Sequence, residues 1–136
     1  MCLFCDIASG KVPSNKVFEN EKVLAFLDIA PVNHGHTLVI SKEHYANMEE
    51  IPHDALCETI KAVKMIGKAL KDGLGAPGYN VSVNNDPVSG QVIPHIHFHI
   101  IPRKEGDGLR LWKQGKYADG EAMQVLGKIK EAIGPK

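Results

Sequence analysis

Long apolar runs, an excess of charge of either sign and a cysteine framework are all missing from this sequence, and each absence removes a class of protein. No uninterrupted apolar stretch is longer than Val23–Leu27, far short of the roughly 20 residues a helix needs to cross a bilayer. No membrane partner is expected. Lys and Arg number 16 and Asp and Glu number 16, which leaves a formal net charge of zero. Without a global field there is no nonspecific attraction for a nucleic-acid polymer or an anionic lipid surface, so a partner must be found by a local site. Cys2, Cys5 and Cys57 make an odd count with one close pair, a pattern poorly suited to a secreted disulfide framework. The opening Met-Cys-Leu-Phe-Cys-Asp has no basic segment before a long apolar stretch and no Arg-rich presequence, so a cytoplasmic location is expected.

What is present is the composition of one ordinary soluble domain. The 136 residues are 43% hydrophobic and 24% charged, enough to bury a core, and no repeat or low-complexity block divides residues 1–136. Residues 16–19 and 22–28 are rich in β-formers around Asn20-Glu21, which predicts a hairpin through a turn weaker than Asn-Gly. Residues 29–35, with Pro31, Asn33 and Gly35, form a loop into a third strand at 36–40. Pro52 and Asp54 open a helix with Leu56, Ile60, Val63, Gly67 and Leu70 on one stripe, closed by Gly73 and Gly75. Its narrow stripe places it on the face of a sheet. Strands at 79–83 and 95–101 follow, with a polar turn at 84–90 between them, and residues 121–133 form a weaker amphipathic helix that packs late or serves a dimer contact. Strands interrupted by a long helix, without alternating βα units, give an α+β class. The expected architecture is an antiparallel five-stranded sheet with one long helix packed on it and a C-terminal helix.

The most informative segment is Pro94-His95-Ile96-His97-Phe98-His99-Ile100-Ile101-Pro102. Strand side chains alternate between faces, so His95, His97 and His99 share one face and Ile96, Phe98 and Ile100 the other. One face is then a core and the other chemistry. Neighbouring histidines are spaced roughly 7 Å along such a strand and the outer two about 13 Å, so two could reach one metal but three could hardly converge. A neutral imidazole is a nucleophile when its other nitrogen is held as a donor, and an imidazolium offers positive charge to phosphate oxygens. The middle histidine, attacking phosphorus, would form a phosphohistidine and split one hard substitution into two easier ones.

This pattern resembles the histidine triad (HIT) superfamily, whose signature is His-x-His-x-His before two apolar residues. The resemblance extends to Cys2-x-x-Cys5, residues 25–31 (AFLDIAP), residues 35–40 (GHTLVI), Lys42-Glu43-His44 and Gly90-Gln91. It points to a prokaryotic-type member akin to the nucleoside phosphoramidase and dinucleotide hydrolase branches. The resemblance implies a purine nucleotide substrate, attack on its α-phosphate by His97, and a nucleotidyl-histidine resolved by water. It assigns His99 and His36 to phosphate contact or leaving-group departure, Asp28 to the ribose hydroxyls, and Asn84 and Gln91 to the neighbourhood of the phosphate. Where several relatives carry Ser or Thr three residues before the first histidine, this chain has Val92, which leaves the preferred leaving group open. The resemblance also implies a homodimer, with the segment around Trp112 reaching toward the partner's pocket.

Cys2 and Cys5 offer two thiolates at a familiar zinc spacing. The pair reads equally as two small buried residues or a redox pair, although no thioredoxin-like βαβ pattern surrounds it. In many prokaryotic triad proteins the pair is joined by the histidine of Lys-x-His and the first histidine of the row, here His44 and His95, to hold a structural Zn²⁺. His34 and His53 are expected at the surface, and Cys57 in core or surface. Two other functions compete: metal-assisted hydrolysis with adjacent histidines of the row on a catalytic zinc, and a nonenzymatic nucleotide-binding interaction module.

Overall fold

The computed structural model describes residues 2–135. Its elements are α1 (Leu3–Ala8), β1 (Lys16–Glu19), β2 (Val23–Leu27), β3 (Thr37–Ser41), α2 (His53–Leu74), β4 (Gly78–Val83), β5 (His97–Arg103) and α3 (Glu121–Ile133), with a short 3-10 turn at Pro87–Ser89. The five strands form one antiparallel sheet in the order β1-β2-β3-β5-β4. This is the α+β class and layout the patterning predicts. The hairpin between β1 and β2 turns without Asn-Gly because the Asn20 side chain supplies the missing geometry. Its Oδ1 accepts the Lys22 and Val23 N–H groups at 2.9 and 2.8 Å, an Asx turn.

Alternation along the strands builds two cores. On one face Val23, Ala25, Val39, Phe98 and Ile100, with Ile96, pack under Ala62, Val63, Ile66 and Leu70 of α2. The helix stripe differs from the expected one. Ile60 is 43% exposed, and Thr59, Ala62 and Ile66 join Val63, Gly67 and Leu70 inside, because the helix meets the sheet one position round from the stripe traced by its large residues. Gly75 closes α2 in the left-handed region (φ 70°), its N–H donating to the Lys71 carbonyl and the next N–H, of Ala76, to the Leu70 carbonyl.

The opposite face is not left wholly to chemistry. Leu24, Phe26, Leu38 and Ile40 are buried there by Phe4 and Ile7, both from α1, a helix the sequence reading did not include. Cys2 caps it, its sulfur accepting the Cys5 N–H. At the far end of the chain, α3 has no buried residue, and Trp112 in the segment before it is 91% exposed.

Gly35 sits where only glycine fits. Its φ is +102°, and an added Cβ would lie 2.6 Å from Leu74 Cδ1 and 3.2 Å from Pro102 Cγ. Strain and overpacking each cost about 1–3 kcal/mol, so Gly35→Ala is expected to lower the urea midpoint by the equivalent of about 2 kcal/mol or more. Urea melts of the two proteins check this.

Candidate active site and metal centre

Strand β5 begins at His97, two residues after the expected start at 95, while His95 keeps to the face of the row: Phe4 of α1 meets the rings of both His95 and His97. His97 and His99 share the α1 face of the sheet, beside Ile40 and Leu38 of β3, with ring centroids 4.9 Å apart. His95 lies before the strand, fully buried, and faces the cysteines rather than the cleft.

His97 and His99 open into a cleft of about 380 Å³. Leu3, Phe4 and Ile7 of α1 and Phe26 and Leu38 of the sheet form an apolar wall, while Asp28, Asn84 and the two histidines supply the polar groups. An apolar slot with a few converging polar groups is the ordinary form of a small-molecule site. A larger cleft of about 500 Å³, behind the loop containing Asn33, carries neither row histidine. His34, His53 and Cys57 are exposed and stand outside the cleft that holds His97 and His99.

Hydrogen bonds assign the imidazole protons. His97 Nδ1–H donates to the His95 carbonyl at 2.8 Å, which leaves Nε2 with its lone pair free. The Val32 N–H donates to His36 Nδ1 at 3.1 Å, so His36 carries its proton on Nε2 and donates it to His99 Nδ1 at 3.0 Å. His99 is therefore left with Nε2–H. The cleft thus receives one imidazole lone pair and one imidazole N–H side by side.

The environment keeps these rings neutral. Burial pushes His97 and His36 below the ordinary imidazole value, opposed at His97 by the hydrogen bond to the His95 carbonyl and then by Asp28, and at His36 by Asp28. Burial, reinforced by the charge of His97 and His36, lowers His99 to about 4. Asp28 Oδ2 lies 3.8 Å from His36 Nε2, and its other oxygen accepts the Ala30 N–H at 2.9 Å. The loop bearing His36 is tied to the sheet by Asn33, whose amide donates to the Pro102 carbonyl at 2.9 Å and to Asp107 at 3.2 Å.

A linkage effect follows from His99. Its value is about 4 in the fold against 6.5 in the open chain, so between those pH values the unfolded state takes up a proton that the folded state refuses. Stability must fall as pH drops from 6.5 toward 4, and this contribution is absent above that window. Thermal melts from pH 7 to 4.5 should show a shallower decline for His99→Asn than for the parent protein; parallel curves would contradict this.

Gln91 departs from its expected place. Its Oε1 accepts the Asp86 N–H at 2.7 Å and its Nε2 donates to the Ala46 carbonyl at 2.6 Å. The amide is consumed in pinning the 84–90 turn, and the cleft wall is made by Gly90 and Val92 on either side. Phe4 is the contact the sequence reading lacked: its ring meets His97 edge-on with centroids 4.9 Å apart. The apolar spacing Leu3, Phe4, Ile7 was its available signal.

The second cluster comprises Cys2, Cys5, His44 and His95, which could hold a metal ion. The two sulfurs are 3.4 Å apart, His95 Nδ1 is 3.4 and 3.6 Å from them, and His44 Nδ1 is 3.3 Å from Cys5 Sγ. Tetrahedral zinc with Zn–S of about 2.3 Å and Zn–N of about 2.0 Å needs donor separations of roughly 3.3–3.8 Å. The donors fit. His95 Nε2–H donates to the Ser41 carbonyl at 2.7 Å, the outer hydrogen bond that turns the Nδ1 lone pair toward a cation.

Asp28, His36 and His99 are also close enough to be grouped as donors, but their hydrogen bonds argue otherwise. His36 Nε2 is protonated and His99 Nδ1 already accepts from it, so neither turns a free lone pair to an ion. His97 and His99 likewise present opposite functions rather than two lone pairs. This disfavours metal-assisted hydrolysis by the row.

Residues 9–106 match the model of the HIT domain. The chain belongs to the HIT family. An uncharacterized HIT-like protein of Methanocaldococcus jannaschii is 51% identical over 96% of this chain and 99% of its own length. An adenosine 5′-monophosphoramidase of Candida albicans is 41% identical over 97% of this chain and 88% of its own. Among solved structures, a HIT family member from Bacillus subtilis superposes with TM-score 0.90 at 39% identity, covering 99% of each chain. A zinc-bound histidine triad family protein of Mycobacterium smegmatis gives TM-score 0.77 at 32% identity, covering 96% of each. Among the described residues of this HIT protein, no helix is long and apolar enough to cross a membrane.

Proposed function

We propose that this HIT protein is a nucleotidyl hydrolase that cleaves nucleoside phosphoramidates or dinucleoside polyphosphates at the α-phosphate, through a nucleotidyl-histidine on His97. The observation that carries the reading is the His97 tautomer: Nδ1–H held by the His95 carbonyl at 2.8 Å and Nε2 free. Such a ring attacks phosphorus without first losing a proton. Phosphorus bonds to Nε2 as the bond to the leaving group breaks, and water later displaces the histidine to release the nucleoside monophosphate.

The remaining residues take roles their bonds equip them for. His99 Nε2–H donates to a phosphoryl oxygen or the departing group, and His36 keeps it in that tautomer from behind. Asp28, with Oδ1 fixed by Ala30, accepts from the ribose hydroxyls, and Asn84 donates near the phosphate; the apolar wall receives a purine base. The name of the Candida albicans relative, 41% identical to this chain, supports a phosphoramidate among the substrates. Gln91 enters this scheme as a support of the phosphate-side turn and not as a nucleotide contact.

Zn²⁺ on Cys2, Cys5, His44 and His95 is structural in this reading. When bound it crosslinks α1 to the start of β5, and four protein ligands leave no position for reactive water. A homodimer is the assembly we infer, with exposed apolar residues of α2, β4 and α3 available to cover. Mixing the protein with adenosine phosphoramidate and quenching within milliseconds to seconds should yield a chain heavier by one nucleoside monophosphoryl group. A burst-free, unmodified chain that binds the nucleotide would favour the interaction-module reading.

A further inference from the structure

The metal cluster and the reactive imidazole share a residue. His95 aims Nδ1 at the two sulfurs, 3.4 and 3.6 Å away, while its carbonyl holds the His97 Nδ1–H at 2.8 Å. A second connection runs through α1. Cys2 and Cys5 bracket Phe4, which packs on His97 with centroids 4.9 Å apart and walls the cleft with Leu3 and Ile7. Neither cysteine is fully buried, and their sulfurs are 3.4 Å apart, so one small oxidant can reach both.

We propose that the Cys2–Cys5 pair is a redox-sensitive lock on the cleft, opened when an oxidant of the peroxide class joins the two sulfurs and expels the zinc. In that step two zinc-bound thiolates, one hydrogen peroxide and two protons give a disulfide, two waters and free Zn²⁺. The S–S bond forms as the O–O bond breaks; each sulfur loses one electron and the peroxide gains two. Closing the sulfurs from 3.4 Å to about 2.05 Å pulls on the first turn of α1 and leaves the His95 ring held by the Ser41 carbonyl alone. Both supports of His97 loosen together. The inference rests on the hydrolase reading for its turnover readout alone.

The test uses Cys57→Ala protein, which removes the exposed third thiol on α2, loaded with zinc and treated with hydrogen peroxide. A mass loss of two hydrogens mapped to Cys2–Cys5 and zinc release to a chromogenic chelator should proceed in step. The Kd for adenosine 5′-monophosphate should rise, and kcat for adenosine phosphoramidate fall, by about tenfold or more, a size consistent with slight misplacement of a reacting group. The histidine ¹⁵N spectrum should lose the fixed His97 Nδ1–H tautomer, and dithiothreitol with Zn²⁺ should reverse all five changes.

Disulfide formation and zinc loss with unchanged nucleotide affinity and an unchanged His97 spectrum would overturn the lock. Sulfonate formation with zinc retained would do the same. To separate loosening from unfolding, His44→Gln stripped of zinc leaves both sulfurs and His95 in place; if this chain stays folded and keeps a native His97 spectrum after peroxide has joined Cys2 to Cys5, the lock is also overturned. If untreated protein cleaves no phosphoramidate while affinity and spectrum still respond to peroxide, the hydrolase reading falls and the lock stands.

Discussion

Replacement of His97 by Asn should leave a folded protein that binds adenosine 5′-monophosphate yet turns over adenosine phosphoramidate at least about a thousandfold more slowly, the scale seen when a covalent nucleophile is removed. The Asn side-chain amide places an N–H close to where imidazole Nδ1 stood, so the bond to the His95 carbonyl has a replacement donor. What Asn lacks is the second ring nitrogen. Ground-state affinity and folding should therefore change little while the chemical step collapses. A kcat within tenfold of the parent would remove His97 from the nucleophile's place. The converse change, His97→Ala, also deletes a buried ring against Phe4, so its loss of stability would obscure the same result.

Loss of the metal should produce the largest change in stability. A ligand that binds only the folded state adds about 2.7 kcal/mol at a free concentration one hundred times its Kd. For a chain of this size 1 kcal/mol moves Tm by roughly 3–5 °C, so chelating the zinc should lower Tm by about 10 °C. Cys5→Ser should melt at the chelated value and respond no further to chelator. Its sulfur faces Cys2, His44 and His95, so it is the donor most connected to the others. Equal melting temperatures for loaded and chelated protein would exclude a stabilising metal. A loss of turnover with no change in melting would instead indicate a reactive one.

The strands and the long helix were legible because their residues alternate or recur over lengths that periodicity can register. The exceptions are instructive. Helix α1 has six residues, too few for a 3.6-residue repeat to stand out, and its cap is a cysteine sulfur rather than the usual hydroxyl or carboxylate. His95 has the parity of the row yet precedes the first paired residue of β5, and pairing is a property of a distant strand. Gln91 illustrates the same limit: its amide is claimed by Asp86 and Ala46, the second of them 45 residues away in sequence.

The residue types that line the cleft were legible in the sequence, but the positions of their protons were not. That His97 keeps a free Nε2 depends on the His95 carbonyl, and that His99 keeps Nε2–H depends on the Val32 N–H acting through His36. Both are main-chain groups present at nearly every position of any sequence. Folding alone selects which of them face a ring.

Strict alternation in β5 also makes the strand intolerant of changes in length. Inserting or deleting one residue between His95 and His99 would rotate every later side chain by half a turn, delivering imidazoles to the greasy underside of α2 and Phe98 to the cleft. Point changes there can be survived one at a time, whereas indels cannot. Length variation among descendants of this gene should therefore accumulate in the unpaired stretch 104–120 and spare 95–101.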